Sequence, residues 1–160
     1  EVGRDATRYF LVARTPNSQL IFDIDLALSQ SNDNPVYYIQ YAHARTCSVL
    51  RKLVEQGWEW QAHSALQHLD QLLEEHEKNL LRRLVRYPEV VATAALNNEP
   101  HTVATYLREL AGDFHTWYNA HKMLVDDRAL RNARIALSQA VGQVIYNGLG
   151  LLGVSAPEVM

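Results

Sequence analysis

The stretch Asn34-Pro-Val-Tyr-Tyr-Ile-Gln-Tyr-Ala-His-Ala-Arg-Thr-Cys-Ser-Val-Leu-Arg-Lys-Leu-Val54 carries the signature of a long helix. Asn34 is placed to cap the first turn, and Pro35 falls at the first helical position, where its missing amide hydrogen has no partner to lose. The helix is predicted to run to about Val54, before the loop that holds Gly57. With about 100° of rotation per residue, Tyr37, Tyr38, Tyr41, Arg45, Ser48 and Lys52 fall on one arc, with Arg51 at its edge. Val36, Ile39, His43, Cys47, Leu50 and Val54 lie largely opposite and are the expected core side.

Working outward, the same periodicity recurs on both sides. Asp5 to Arg14 places apolar residues at helical spacing and stops at the turn cluster Thr15-Pro-Asn-Ser18. A short helix from Ile24 to Gln30 precedes the polar run Ser29-Gln-Ser-Asn-Asp-Asn34, which reads as a linker. Downstream, Gln67 to Arg86 carries Leu69, Leu72, Leu73, Leu80, Leu81, Leu84 and Val85 at bundle spacing, and Pro88 must end it. Further helices are expected from Pro88 to about Leu96, from Pro100 with Val103, Leu107, Leu110, Phe114 and Trp117 on one face, and from Asp126-Asp127 to the glycines Gly148 and Gly150. Five or six amphipathic helices with short connections, and no convincing strand, make an all-α helical bundle.

Composition narrows the class. The 160 residues suffice for one ordinary core, and 48% apolar with 21% charged residues belongs to a globular chain. No apolar run approaches the roughly 20 residues that span a bilayer, so no membrane partner is expected. Cys47 is the single cysteine, which excludes an internal disulfide and a cysteine zinc cluster; a reducing, cytoplasmic setting is expected. A net charge of −3 excludes polyanion binding by bulk electrostatics, so any nucleic-acid contact must be local. Among the 15 cations only Lys52, Lys78 and Lys122 are lysines; the others are arginines, whose planar fork suits phosphates and base edges.

Three constellations could carry chemistry. The arc of tyrosines with Arg45 mixes rings for stacking with cations for phosphates, as unpaired RNA requires, although tyrosines that only pack and arginines that only pair at a surface would give the same pattern. Lys78, Arg82 and Arg86 form a like-charge ladder beside Arg83, with Glu74 and Glu75 one turn upstream to neutralise part of it; this reads as a solvated face without a ligand. His76, His115 and His121 invite a metal, but their spacing does not supply two ligands on one helical face, so no metal site is expected. His43 reads as a hydrogen-bonded interior histidine, and Cys47, one turn away, as packing rather than a catalytic partner.

The segment Asn34 to Arg45, and above all its word Gln40-Tyr-Ala-His-Ala-Arg45, resembles the start of the anticodon-binding domain of bacterial arginyl-tRNA synthetases. Asp127-Arg-Ala-Leu-Arg-Asn-Ala-Arg-Ile-Ala-Leu137 is similar to the motif that names the family's DALR domain, and Gln143-Val-Ile-Tyr-Asn-Gly-Leu-Gly-Leu-Leu-Gly-Val-Ser-Ala-Pro157 continues the likeness. Tyr87-Pro-Glu-Val-Val91 and Phe114-His-Thr-Trp-Tyr-Asn119 resemble family segments in the right order. Glu1 to Phe10 and Phe22 to Leu26 resemble the end of the catalytic half, so the resemblance divides the chain into 1–33, the end of that half, and 34–160, the anticodon-binding bundle.

What the resemblance implies is binding of arginine-accepting tRNA, with the anticodon loop against Tyr41, Arg45 and Arg51, against Tyr118, and against the terminal Met160. The parent reaction it implies joins arginine to tRNA with ATP and magnesium. Neither class I nucleotide-binding signature, of the His-Ile-Gly-His or Met-Ser-Lys type, occurs in these residues, so no catalytic residue or cofactor is assigned to the chain itself, and no oligomer is expected. One position departs from the family's usual ending: Val159 stands where a basic residue precedes the final methionine. A helical protein-interaction module using Tyr37, Tyr41 and Arg45 is the competing reading, because tyrosine and arginine also dominate protein interfaces.

Overall fold

A computed structural model of the chain describes residues 2–15, 17–19 and 21–160. Pro16 of the predicted turn cluster and Glu1 of the first resembling segment lie outside the described residues, among which no strand occurs. The helices are α1 (Arg4–Val12), α2 (Ile24–Leu28), α3 (Pro35–Glu55), α4 (Ala62–Leu66), α5 (Glu75–Val85), α6 (Tyr87–Asn97), α7 (Pro100–Ala120) and α8 (Arg128–Leu151), with a 3₁₀ turn at Leu69–Gln71.

The core is a three-helix centre of α3, α7 and α8, flanked by α5 and α6 on α7, by α4 and the 3₁₀ turn on α8, and by α1 and α2 at one end. Trp117 and Phe114 of α7, Ile39 and Leu53 of α3, and Ile145 and Leu149 of α8 are among its largest fully buried side chains. The three helices approach closely where side chains are small. A Cβ added at Gly142 would lie 2.4 Å from Thr46 Oγ1, and one at Gly148 would lie 2.6 Å from Leu107 Cδ2.

Start signals in the sequence are realised as hydrogen bonds. The Asn34 side chain accepts from Val36 N and the Asp127 side chain from Leu130 N, which closes the first turns of α3 and α8. Stops are subtler. Gly148 and Gly150 do not end α8, as their spacing predicts; the helix continues to Leu151, and Gly153, at φ +68°, turns the chain. Gly153 N donates to Gly150 O and Val154 N to Leu149 O, the paired bonds of a Schellman turn. Gly148 serves the close approach to α7 instead.

The leucine-rich stretch from Gln67 to Arg86 is also not one helix. Glu74 caps α5, its side chain accepting from the third helical amide while Glu77 reaches back to Glu74 N, and everything upstream is the short α4 and a 3₁₀ turn. Leu72 and Leu80 are buried whereas Leu73 is 68% exposed, because the helical register starts only after it. The core stripe of α3 is rotated by about a residue from the predicted one: Val36, Ile39, Ala42, His43, Thr46, Val49 and Leu53 are buried, Cys47 and Leu50 are half-buried, and Val54 is 71% exposed. Burial pushes the Cys47 thiol above its usual range, which favours the protonated form.

Glu77 is the largest surprise of the interior. A glutamate in the first turn of an amphipathic helix is expected in water, yet Glu77 is fully buried. Its Oε1 accepts from Arg134 Nε at 2.8 Å and from Trp117 Nε1 at 3.4 Å, and Arg134 Nη1 donates to Lys122 O at 2.9 Å. One ion pair thus ties α5 to α8 and to the indole of α7.

Candidate functional site

The tyrosine and arginine arc of α3 opens onto a groove of about 330 Å³ walled by Tyr41, Arg45, Ser48, Arg51 and Lys52, by Tyr118 from α7, and by Val159 and Met160. All five residues singled out from the sequence, Tyr41, Arg45, Arg51, Tyr118 and Met160, line this one groove. Tyr38 does not share in it: its ring packs against His115 at 4.5 Å, on the α7 side of the arc.

Arg45 sits at the centre. Its guanidinium carbon lies 4.5 Å from the Tyr41 ring centroid and 4.8 Å from that of Tyr118, within cation–π range of both. Its Nη1 donates to His115 Nδ1 and to Asn119 Oδ1, each at 3.1 Å. Among the described residues nothing accepts from Nε or Nη2, which leaves donors for an external phosphate or base edge. Tyr41 in turn stacks on His115 at 5.5 Å and on Tyr37 at 6.1 Å.

His115 fixes this arrangement. Its Nε2 lies 3.1 Å from Tyr38 O, a carbonyl that can only accept, so Nε2 carries the hydrogen and Nδ1 is the acceptor for Arg45. Burial lowers the imidazole pKa and the charge of Arg45 lowers it further, against the opposing bond to Tyr38 O, so the ring stays neutral. His115 and Asn119 were not singled out from the sequence as partners of Arg45. The available signal was their i, i+4 spacing around Tyr118 in Phe114-His-Thr-Trp-Tyr-Asn119, which puts all three toward α3 while Phe114 and Trp117 enter the core.

The other constellations resolve differently. Arg83, beside the ladder, bonds Asp113 and Glu109 of α7, and within the ladder Arg82 pairs with the exposed Glu75 at 2.8 Å. Glu74 acts as a helix cap rather than a counter-charge. His115 and His121 stay apart in role, while His76 Nδ1 and His121 Nε2 meet at 3.1 Å across α5 and the end of α7. Among the described residues, no three His, Cys, Asp or Glu side chains come together as a metal site would need, and no helix is long and apolar enough to cross a membrane.

The helical bundle thus presents a groove of paired rings around a half-satisfied guanidinium. Residues 39–160 match the DALR anticodon binding domain, and the chain belongs to that family. Along its whole length it is 59% identical to the arginine–tRNA ligase of Thioalkalivibrio sulfidiphilus and 56% identical to that of Legionella pneumophila, and it spans 27% of the length of each. Among solved structures it is similar to Thermus thermophilus arginyl-tRNA synthetase, with a TM-score of 0.82 and 35% identity over 98% of this chain and 26% of that one. A putative arginyl-tRNA synthetase from Campylobacter jejuni matches at TM-score 0.82 and 29% identity, covering 100% of this chain and 34% of that one.

Proposed function

We propose that this chain is the tRNA-binding part of an arginyl-tRNA synthetase, and that the groove between α3, α7 and the terminal residues receives the anticodon loop. The observation that carries this reading is the convergence of Tyr41, Arg45, Arg51, Tyr118 and Met160 on one groove, with Arg45 held against two rings. Rings of this kind stack unpaired bases in a sequence-tolerant way, and the open guanidinium donors neutralise phosphate. Val159 offers no charge at the groove's end, so phosphate contact there falls to Arg45, Arg51 and Lys52.

The parent enzyme joins arginine to its tRNA with ATP and magnesium in the cytoplasm. Residues 1–33 connect to its catalytic half, and 34–160 form the binding bundle. The chain itself holds no cofactor or metal, acts as a monomer, and contributes by positioning: gripping one end of the tRNA lets the acceptor end reach a distant active site.

The test is a titration of arginine-accepting tRNA, or its anticodon stem-loop, against folded variants at several salt concentrations. Tyr41→Ala is expected to weaken binding by about 1–3 kcal/mol and Tyr41→Phe by little, since the ring and not the hydroxyl does the stacking. Arg45→Ala should flatten the slope of log affinity against log salt by about 0.7, one phosphate on a single strand. Arg45→Lys should not restore binding, because a compact ammonium cannot bond His115 and Asn119 while keeping a planar fork within reach of two rings. Native-like circular dichroism with unchanged affinity in Tyr41→Ala and Arg45→Ala would refute the reading and favour a protein partner for the Tyr37, Tyr41 and Arg45 face.

A further inference from the structure

The word Gln40-Tyr-Ala-His-Ala-Arg45 points two ways. Tyr41 and Arg45 face the groove, while Gln40 and His43, three residues apart, face the segment 155–160 that follows the Gly153 turn. Among the described residues, no backbone amide of that segment bonds another backbone group, so it has no ladder of its own. Side chains hold it instead: beyond residue 157 Arg51 Nη1 and Nη2 donate to Glu158 O at 3.2 and 3.3 Å, and the rest of the segment is held from α3 and α1. Gln40 Nε2 donates to Ser155 O at 2.9 Å and to Asp5 Oδ2 at 3.1 Å, using both amide hydrogens on acceptors. His43 Nδ1 lies 2.9 Å from Pro157 O and must carry the hydrogen, since a carbonyl only accepts. Ser155 Oγ donates to the other side of the same knot, Asp5 of α1. Burial alone would raise the Asp5 carboxyl, but the bonds from Ser155 and Gln40 outweigh it and hold the group below its usual range, so it accepts as a carboxylate.

We infer that Asp5, Gln40 and His43 are positioning residues that clamp residues 155–157 so that Met160 closes the end of the groove. The inference rests on the groove being the tRNA site. It explains why one short helical word serves both surfaces: Gln40 and His43 hold the strap while Tyr41, Ala44 and Arg45 line the groove. It also makes α1 part of the groove's support, although Asp5 touches no groove residue other than through Gln40 and Ser155.

The chain contains only two methionines, which makes the strap directly observable. With both methyls isotope-labelled, buried Met123 reports the core and Met160, beside Tyr118, reports the strap through the ring's magnetic shielding. In the whole chain carrying Gln40→Ala and His43→Ala, the Met160 line is expected to move toward its free-chain position, Arg51 alone still bonding Glu158 O, while Met123 stays. Affinity for the anticodon stem-loop should fall by about fivefold or more, the size of one lost base contact, and match the chain lacking residues 155–160. His43→Asn, which keeps a donor where Nδ1 stood, should preserve both signals. If the double variant unfolds, as a moved Met123 line would reveal, Gln40→Ala and His43→Ala singly carry the same comparison, with His43→Asn as the preserved control. An unmoved Met160 line overturns the inference, as does a released Met160 with unchanged affinity. If the parent chain binds no stem-loop at all, the reading of the groove fails, while the Met160 line still decides whether the clamp holds the strap.

Discussion

Replacing Glu77 by alanine should destabilise the domain more than any single change at the groove. The carboxylate is fully buried and accepts from Arg134 Nε at 2.8 Å, from Trp117 Nε1 at 3.4 Å and from Glu74 N at 3.0 Å. Its loss leaves a guanidinium side chain that is 8% exposed with only the Lys122 carbonyl as partner, and strands an indole N–H and a capping amide. Breaking a buried pair by removing one member costs about 3–5 kcal/mol, which is a large share of the roughly 5–15 kcal/mol that holds a domain together. A fall in melting temperature of about 10 °C is expected for a chain of this size. The charge is what matters, so the double variant Glu77→Leu with Arg134→Met should recover most of the loss, because replacing both partners removes the unpaired charge. Urea unfolding followed by circular dichroism, run as a double-mutant cycle, measures both quantities. A Glu77→Ala loss below about 1 kcal/mol, or a double variant no better than the single, would refute the assignment of a desolvated ion pair.

Two further outcomes follow from local geometry. His115 has a folded-state pKa below the usual value near 6.5, so the unfolded chain binds the proton more readily; its stabilising contribution is complete above about pH 6.5 and is lost as pH falls through that value toward the depressed one. Urea unfolding at pH 7.5 and 5.5 should therefore show a loss in the parent that is smaller in His115→Gln, and an equal loss in both would remove His115 as the cause. Gly148→Ala and Gly150→Ala, two residues apart in α8, should have opposite signs. The first places a Cβ 2.6 Å from the buried Leu107 and should destabilise by about 1–2 kcal/mol net of alanine's better helix propensity, while the second meets nothing within 4 Å and should stabilise by about 0.5–1 kcal/mol. Same-sign shifts in thermal melts would contradict the close α7–α8 contact.

The starts of α3 and α8 were legible because capping is a local event: Asn34 and Asp127 act on amides within three residues, so their sequence context contains the whole interaction. What ended α8 was not, because Gly148, Gly150 and Gly153 look alike until the partner helix is known. Only Gly153 adopts a positive φ, whereas Gly148 answers to a leucine 41 positions away in α7. The burial of Glu77 was not legible for the same reason: its partners Trp117 and Arg134 lie 40 and 57 residues distant, and periodicity treats every glutamate as solvent-facing.

The groove divides along the same line. Tyr41 and Arg45 are one helical turn apart, so their shared arc could be read directly, and resemblance added Arg51, Tyr118 and Met160, which the structure brings to the same place. Periodicity could not show that the cation is shared between two rings, or that a neutral histidine holds it there, since both depend on α7 lying against α3 at one register. That register is set far from the groove. Trp117, next to the groove's Tyr118, points the other way into the core and bonds Glu77, so the pair that holds α5 and α8 together also fixes the face that α7 turns toward Arg45. An arginine whose guanidinium must reach both the Tyr41 and Tyr118 rings needs both placed with care, and a rigid core on the opposite side of α7 is what supplies that precision.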